Sequence, residues 1–188
     1  MEQTTDDHVI LVDDEGRTLG LAPRATVHDE STPLHRAFSC YVYRDDGDVL
    51  VTRRALSKRA WPGVWTNSFC GHPRQDEDGL DTVNRYARHE LGLVVEDVRC
   101  VLPDFRYRAV DASGIVENEL CPVYVARAAS AVQPHPDEAM EHRWVSPDEL
   151  ERWVGAAPWS VSPWLVEQLP GVLPFLAGGV PDRGRGRP

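Results

Sequence analysis

Gly71-His72-Pro73-Arg74-Gln75-Asp76-Glu77-Asp78-Gly79-Leu80-Asp81-Thr82-Val83-Asn84-Arg85-Tyr86-Ala87-Arg88-His89-Glu90-Leu91-Gly92 is the stretch on which the fold turns. Leu80, Val83, Ala87 and Leu91 recur at helical spacing, and Gly92 stands where a helix ends on a left-handed residue. The spacing predicts one amphipathic helix. Immediately before it, Asn67-Ser68-Phe69-Cys70 sets a thiol two residues ahead of His72, in a loop with Pro73 beyond.

On either side the pattern changes to strands. His8–Asp13 reads as a strand, and Asp14-Glu15-Gly16 turns it into Arg17–Leu21. Arg36–Arg44 and Asp48–Thr52 flank Asp45-Asp46-Gly47 as a hairpin. Beyond the helix, Leu93–Val110 is extended and broken at Pro103. Asp111-Ala112-Ser113-Gly114 turns the chain into a strand from Ile115 to Ala126, and His142–Val145 is a short strand. Ser146-Pro147-Asp148-Glu149 is a capping box with proline at the first helical position, opening a helix to about Val154. Ser162-Pro163 opens another that ends near Pro170. The expected architecture is α+β, a layered α/β/α domain with a mixed sheet. It spans residues 1–170, and the Gly-, Pro- and Arg-rich residues 171–188 are expected to form a flexible tail.

A chain of 188 residues with 41% apolar side chains fits one domain with its own core. No long apolar run predicts a membrane span, and Met1–His8 is too polar and acidic for a signal peptide. Cys40, Cys70, Cys100 and Cys121 have no paired spacing, which argues against a disulfide framework and for a reducing cytoplasm. A net charge of −10 argues against nucleic acid as the partner. An anionic substrate would need a bound cation and a local basic cluster. Nothing demands more than a monomer.

Three imidazoles, His28, His35 and His72, with the carboxylates Glu117 and Glu119, have the chemistry to wrap one divalent metal. Glu117 and Glu119 are two apart on an expected strand, so both leave one face. Taken singly, each has an ordinary alternative as a surface histidine or a solvated strand acid. Cys40, Cys100 and Cys121 read as small buried hydrophobes in apolar strands. Cys70, in its loop, is the reactive candidate if a nearby metal or basic group lowers its pKa. Thr52-Arg53-Arg54-Ala55-Leu56-Ser57-Lys58-Arg59 is a basic run suited to a diphosphate, or else a solvated loop. Trp61, Trp65, Trp159 and Trp164 read as core or rim packing, though an indole face also attracts a cation.

In order along the chain, six segments resemble the type I isopentenyl diphosphate isomerases, which belong to the Nudix superfamily. They are Thr52–Lys58, Trp61–Ser68, Cys70–Pro73, Asp104–Ala109, Gly114–Glu119, and Pro158-Trp159 with Ser162-Pro163-Trp164. The resemblance implies that His28, His35, His72, Glu117 and Glu119 hold one Mn2+, Zn2+ or Mg2+. It implies that Glu90 helps hold a Mg2+ on the substrate diphosphate. Cys70 and Glu119 would be the catalytic pair, with Tyr107 as the hydroxyl partner of Glu119 and Trp164 facing a carbocation. Arg24, Arg54 and Lys58 would contact the diphosphate. Two positions depart from the family: Arg24 replaces a lysine and keeps its charge, whereas Tyr86 replaces an arginine and does not.

The implied reaction interconverts isopentenyl and dimethylallyl diphosphate through a tertiary carbocation. The rival on the same fold is a Nudix pyrophosphohydrolase, whose box reads G-x5-E-x7-R-E-U-x-E-E-x-G-U and uses its glutamates to gather Mg2+. Counted from Gly71, this chain keeps Glu77, Arg85 and Glu90 but has Tyr86 and His89 where glutamates belong. A second rival is a non-enzymatic metal-binding domain.

Overall fold

The computed structural model describes residues 8–177. The strands are β1 (His8–Val12), β2 (Thr18–Pro23), β3 (His35–Arg36), β4 (Phe38–Tyr43), β5 (Val49–Arg54), β6 (Trp65–Thr66), β7 (Phe69–Gly71), β8 (Val95–Leu102), β9 (Arg106–Val110), β10 (Val116–Leu120), β11 (Val123–Ala128) and β12 (Ala139–Val145). The helices are α1 (Arg24–Val27), α2 (Gly79–Leu91), α3 (Pro147–Ala156) and α4 (Pro163–Ala177).

Successive strand residues face opposite ways, and the buried side chains divide accordingly. Phe38, Cys40, Val42 and Leu50 point to one side, where Val83, Tyr86, Ala87 and Leu91 of α2 cover them. Tyr41, Val49 and Val51 point to the other, against Leu150 and Val154 of α3 and Leu165, Leu169 and Val172 of α4. The central sheet, ordered β12-β5-β4-β11-β8, thus lies between two helical layers. This is the expected α/β/α arrangement. A second sheet, β2-β1-β3-β10-β9, adjoins it.

Two strands pass from one sheet to the other together. β3 pairs parallel with β10, and their continuations β4 and β11 also pair parallel. The single strand expected over Ile115–Ala126 is therefore two. Pro122 has no N–H to continue the ladder, and Ala37 and Ser39 donate to the carbonyls of Leu120 and Pro122 across the step, both at 3.0 Å. The strand expected over Arg36–Arg44 divides at the same level, at Ala37.

The central helix forms as its spacing predicts. Asp78 caps its start, accepting from Asp81 N at 2.7 Å. Gly92 ends it at φ +55°, a conformation with little cost for glycine. The Ser146 hydroxyl accepts from Glu149 N at 3.2 Å and opens α3 as expected. Cys100, expected in an apolar setting, faces solvent instead.

The tail expected from residue 171 is corrected in part, since α4 continues through Pro170 and Pro174 to Ala177. An interior proline costs about 3 kcal/mol. Burial of Val172 and Leu176 returns roughly 1.5–3 kcal/mol each, of the same order as the cost of the two prolines together. Residues 178–188, and Met1–Asp7 at the other end, lie outside the described residues. Val172→Ala is expected to destabilise the protein by about 2 kcal/mol, read as a lower urea midpoint with unchanged slope. A wild-type midpoint would contradict a helix packed beyond Pro170.

Candidate active site

The step between sheets places the functional side chains. His35 on β3 is in register with Glu119 on β10, and Glu119 in turn with Tyr107 on β9. Across β4, Ser39 is in register with Cys70 on β7. His72 follows where β7 ends. His28 follows α1, in a loop tied to β10 by Val116 N donating to Asp29 O at 2.9 Å.

His28, His35, His72 and Glu119 converge, with one ligand atom from each lying within 4.8 Å of all the others. Ligands on opposite sides of one divalent ion stand roughly 4–4.5 Å apart, so the spacing fits. The proton positions support the same conclusion. His35 Nδ1 lies 2.9 Å from the Pro33 carbonyl, which can only accept, so Nδ1 carries a proton and, in the neutral ring, Nε2 presents a lone pair. That Nε2 faces His72 Nε2 at 3.2 Å and Glu119 Oε1 at 3.7 Å. His28 Nε2, His72 Nδ1 and Glu117 Oε2 are buried without a hydrogen-bond partner. Buried acceptors facing one another are costly unless a cation lies among them. Glu117 stands outside the tightest set, its Oε2 3.4 Å from His28 Nε2. The cluster is therefore one that can hold a divalent metal.

Burial opposes ionisation of both strand carboxyls. At Glu119 the imidazoles of His35 and His72 more than offset it and hold the group well below the usual range. Glu117 is pushed up by burial and by the charge on Glu119. His72 is pushed down to about 4, by burial first and then by His35 and His28, although Glu119 opposes this. At neutral pH the His72 imidazole is uncharged and so able to serve as a metal ligand.

A cleft of 450 Å³ opens over this cluster. His28, His72, Glu117, Glu119, Cys70, Tyr107, Trp164, Arg24, Arg54, Lys58 and Glu90 all line it, while His35 lies fully buried beneath. Twelve residues singled out from the sequence thus meet in one place. Several are engaged in ways the sequence did not suggest. Arg54 donates to the carbonyls of Ala60 and Trp61 and lies 5.6 Å over the Trp164 ring. Lys58 is hydrogen-bonded to Glu138 and stands 3.9 Å from Glu90. Burial and the nearby Glu138 push the Glu90 carboxyl up to about 8, against the pull of Lys58 and Arg54. Glu138, missed in the sequence, comes from the loop before β12, and its only signal is position beside the cleft.

Cys70 is held as a thiol by its surroundings. Burial pushes its thiol up to about 12, and the Glu119 charge adds to this; Ser39, Asn67 and Arg54 only moderate it. Its Sγ donates to Asn67 Oδ1 at 3.1 Å. Burial, then Glu119 and Glu117, also holds the Tyr107 phenol well above its usual range, so it keeps its proton.

The model of the NUDIX domain matches residues 33–165. The chain belongs to the Nudix family. It is 58% identical to an isopentenyl-diphosphate Delta-isomerase of Clavibacter sepedonicus over 88% of this chain and 87% of that one. Another protein of that name, from Mycolicibacterium vanbaalenii, is 55% identical over 90% of this chain and 94% of its own. Among solved structures, DR0079 from Deinococcus radiodurans superposes with a TM-score of 0.67 at 20% identity, covering 87% of this chain and 97% of that one. A MutT NUDIX hydrolase from Burkholderia pseudomallei gives 0.58 at 22% identity, covering 74% and 98%. At such identity these structures speak to the Nudix fold alone.

Within the Nudix box, the surviving acid and base at Glu77 and Arg85 are spent on each other, at 2.6 and 2.5 Å. Arg85 also donates to the His72 carbonyl at 3.2 Å, bracing a metal-cluster residue. His89 is exposed. Tyr86 is buried, and its Oη accepts from His72 N at 3.0 Å. Partial burial works against Glu77 ionisation, but Arg85 and Arg74 N outweigh it and hold the carboxyl at about 2 against an ordinary 4.5. A folded value below the unfolded one contributes stability that is present above pH 4.5 and lost as pH falls toward 2. Glu77→Gln is thus expected to destabilise the protein at pH 7, with the deficit vanishing between pH 4.5 and 2. Urea titrations at stepped pH would read this, and a pH-independent deficit would contradict it.

Proposed function

We propose that the protein interconverts isopentenyl and dimethylallyl diphosphate by moving a proton on and off a branched alkene. One observation carries this reading: a half-buried thiol and a carboxylate of the His/Glu cluster line a single cleft that also holds Arg24, Arg54 and Lys58. The names of the relatives support it. A hydrolytic role is disfavoured, because two of the four box glutamates are a buried tyrosine and an exposed histidine.

Moving the double bond requires a proton added to the terminal carbon and another removed from the carbon on the diphosphate side of the cationic centre. Water would trap the tertiary cation, so the site must be dry. Glu119, with the Tyr107 phenol beside it, and Cys70 act as proton donor and acceptor and exchange these roles between directions. Trp164 offers an aromatic wall to the cation, worth about 2 kcal/mol when desolvated, or roughly a factor of thirty. Arg54 already occupies part of that capacity, so positioning must supply more of the acceleration. Arg24, Arg54 and Lys58 hold the diphosphate.

In this reading His28, His35, His72, Glu117 and Glu119 would hold one Mn2+, Zn2+ or Mg2+, and Glu90 would help hold a Mg2+ on the substrate diphosphate. Bound there, the ions would supply positive charge that orders the buried acceptors and anchors the substrate. The catalytic unit in this reading is a monomer that works in the cytoplasm.

Proton NMR of isopentenyl diphosphate with the protein in D2O is expected to show dimethylallyl diphosphate with incorporated deuterium, abolished by chelator. Release of phosphate without isomer would favour the hydrolase instead. Cys70→Ser is expected to fold, retain metal and lose turnover by at least about 10²–10⁴-fold. Glu119→Gln should lose turnover and part of its metal, measured by elemental analysis. A Cys70→Ser protein with wild-type turnover would remove the thiol from the chemistry.

A further inference from the structure

Beneath the cleft, five hydrogen bonds meet on one side chain. Asn67 is fully buried. Its Nδ2 donates to Cys40 O and to Phe69 O, each at 2.9 Å. Those carbonyls belong to residues in register across β4 and β7. Its Oδ1 accepts from Trp164 Nε1 at 2.9 Å, from Thr66 Oγ1 at 2.9 Å and from Cys70 Sγ at 3.1 Å. The amide orientation is unambiguous, because an indole N–H only donates and a carbonyl only accepts. Oxygen must face Trp164, and nitrogen must face the two carbonyls.

No other side chain of this size satisfies the set. Aspartate presents acceptors to the two carbonyls, and leucine leaves all five partners unmet. The site therefore demands an amide, and that amide joins the Cys70 thiol to the Trp164 indole through a single oxygen. These two groups come from different layers, β7 and α4. A parallel tie runs beside it. Gln168, one helical turn beyond Trp164, donates to Ser39 Oγ at 3.0 Å and accepts from Tyr41 at 3.0 Å, and Ser39 Oγ lies 3.3 Å from Cys70 Sγ.

We propose that Asn67 is a positioning residue for the reaction: it fixes the direction of the Cys70 S–H bond and locks the Trp164 ring relative to it. The assignment of Cys70 and Trp164 to the chemistry rests on the function proposed above, whereas the hydrogen bonding itself does not. A displacement of about 1 Å in a reacting group costs on the order of 10²-fold in rate, so an untethered thiol and indole would show mainly in kcat. The diphosphate contacts at Arg54 and Lys58 do not pass through Asn67, so KM should move little.

The test has two arms. In the metal-loaded enzyme, Asn67→Asp and Asn67→Ala are expected to lower kcat by about 10²-fold, with KM for isopentenyl diphosphate within threefold and metal content unchanged. Both should also alter the rate at which iodoacetamide alkylates Cys70 in a Cys100→Ser background. A folded Asn67→Asp enzyme with wild-type kcat, or one whose KM rises in step with the loss of kcat, would overturn the proposal. The second arm needs no variant at Asn67. The Raman S–H stretch lost in Cys70→Ser should lie below that of a simple alkyl thiol in an apolar solvent, as for a thiol bonded to a carbonyl oxygen. A band at the unbonded position would overturn the proposal even if both Asn67 variants fail to fold. Because the stretch and the alkylation do not require turnover, they remain interpretable if the isomerase reading itself fails.

Discussion

The site depends on two parallel strand pairs changing sheet at the same level. β3 and β10 lie side by side in one sheet, and β4 and β11 continue them in the other. The step at Ala37 and Pro122 is closed by N–H groups reaching across it, so neither sheet is left with unpaired backbone there. This geometry brings His35, Glu117 and Glu119 from one sheet up against Cys70 and His72, which belong to or follow a strand of the other. A continuous strand would carry the carboxylates and the thiol onto faces of one flat surface, without a cleft between them.

Converging buried acceptors carries an energetic consequence. Each desolvated ionic group costs several kcal/mol unless it finds compensation. Three imidazoles and two carboxylates crowd together with few donors among them, and three of their atoms are unpartnered. The fold accepts this local frustration, which the surrounding packing sustains: Tyr107, Trp61, Trp164 and Cys121 form an apolar wall beside the cluster. The same burial that destabilises these groups excludes the water that would quench a cation.

Much of this was legible in the sequence because it depends on local pattern. Helical spacing from Leu80 to Leu91, the glycine stop and the capping box at Ser146 are near-neighbour effects, and all three form. The cleft residues were legible as a set, since six segments in order carry more information than any one histidine. What stayed hidden depends on distant partners. The division at Cys121-Pro122 needs a second sheet to receive the chain. The extension of α4 past Pro170 needs a core to bury Val172 and Leu176. Glu138 carries no motif of its own, and Asn67, though inside a recognised segment, gives no sign there of the five hydrogen bonds it gathers once β4, β7 and α4 are assembled. The upward push that burial gives the Cys70 thiol stayed hidden for the same reason, because burial depth is not written in the neighbouring residues.

A Cβ on Gly71 would lie 2.2 Å from the ring of Tyr86. The helix that other branches of the fold use to collect magnesium is here wedged against the strand bearing the thiol, with no room between them. With Tyr86 in place, position 71 can carry no side chain, so the glycine is demanded by the bulk of a ring fifteen residues away and not by its own backbone angles.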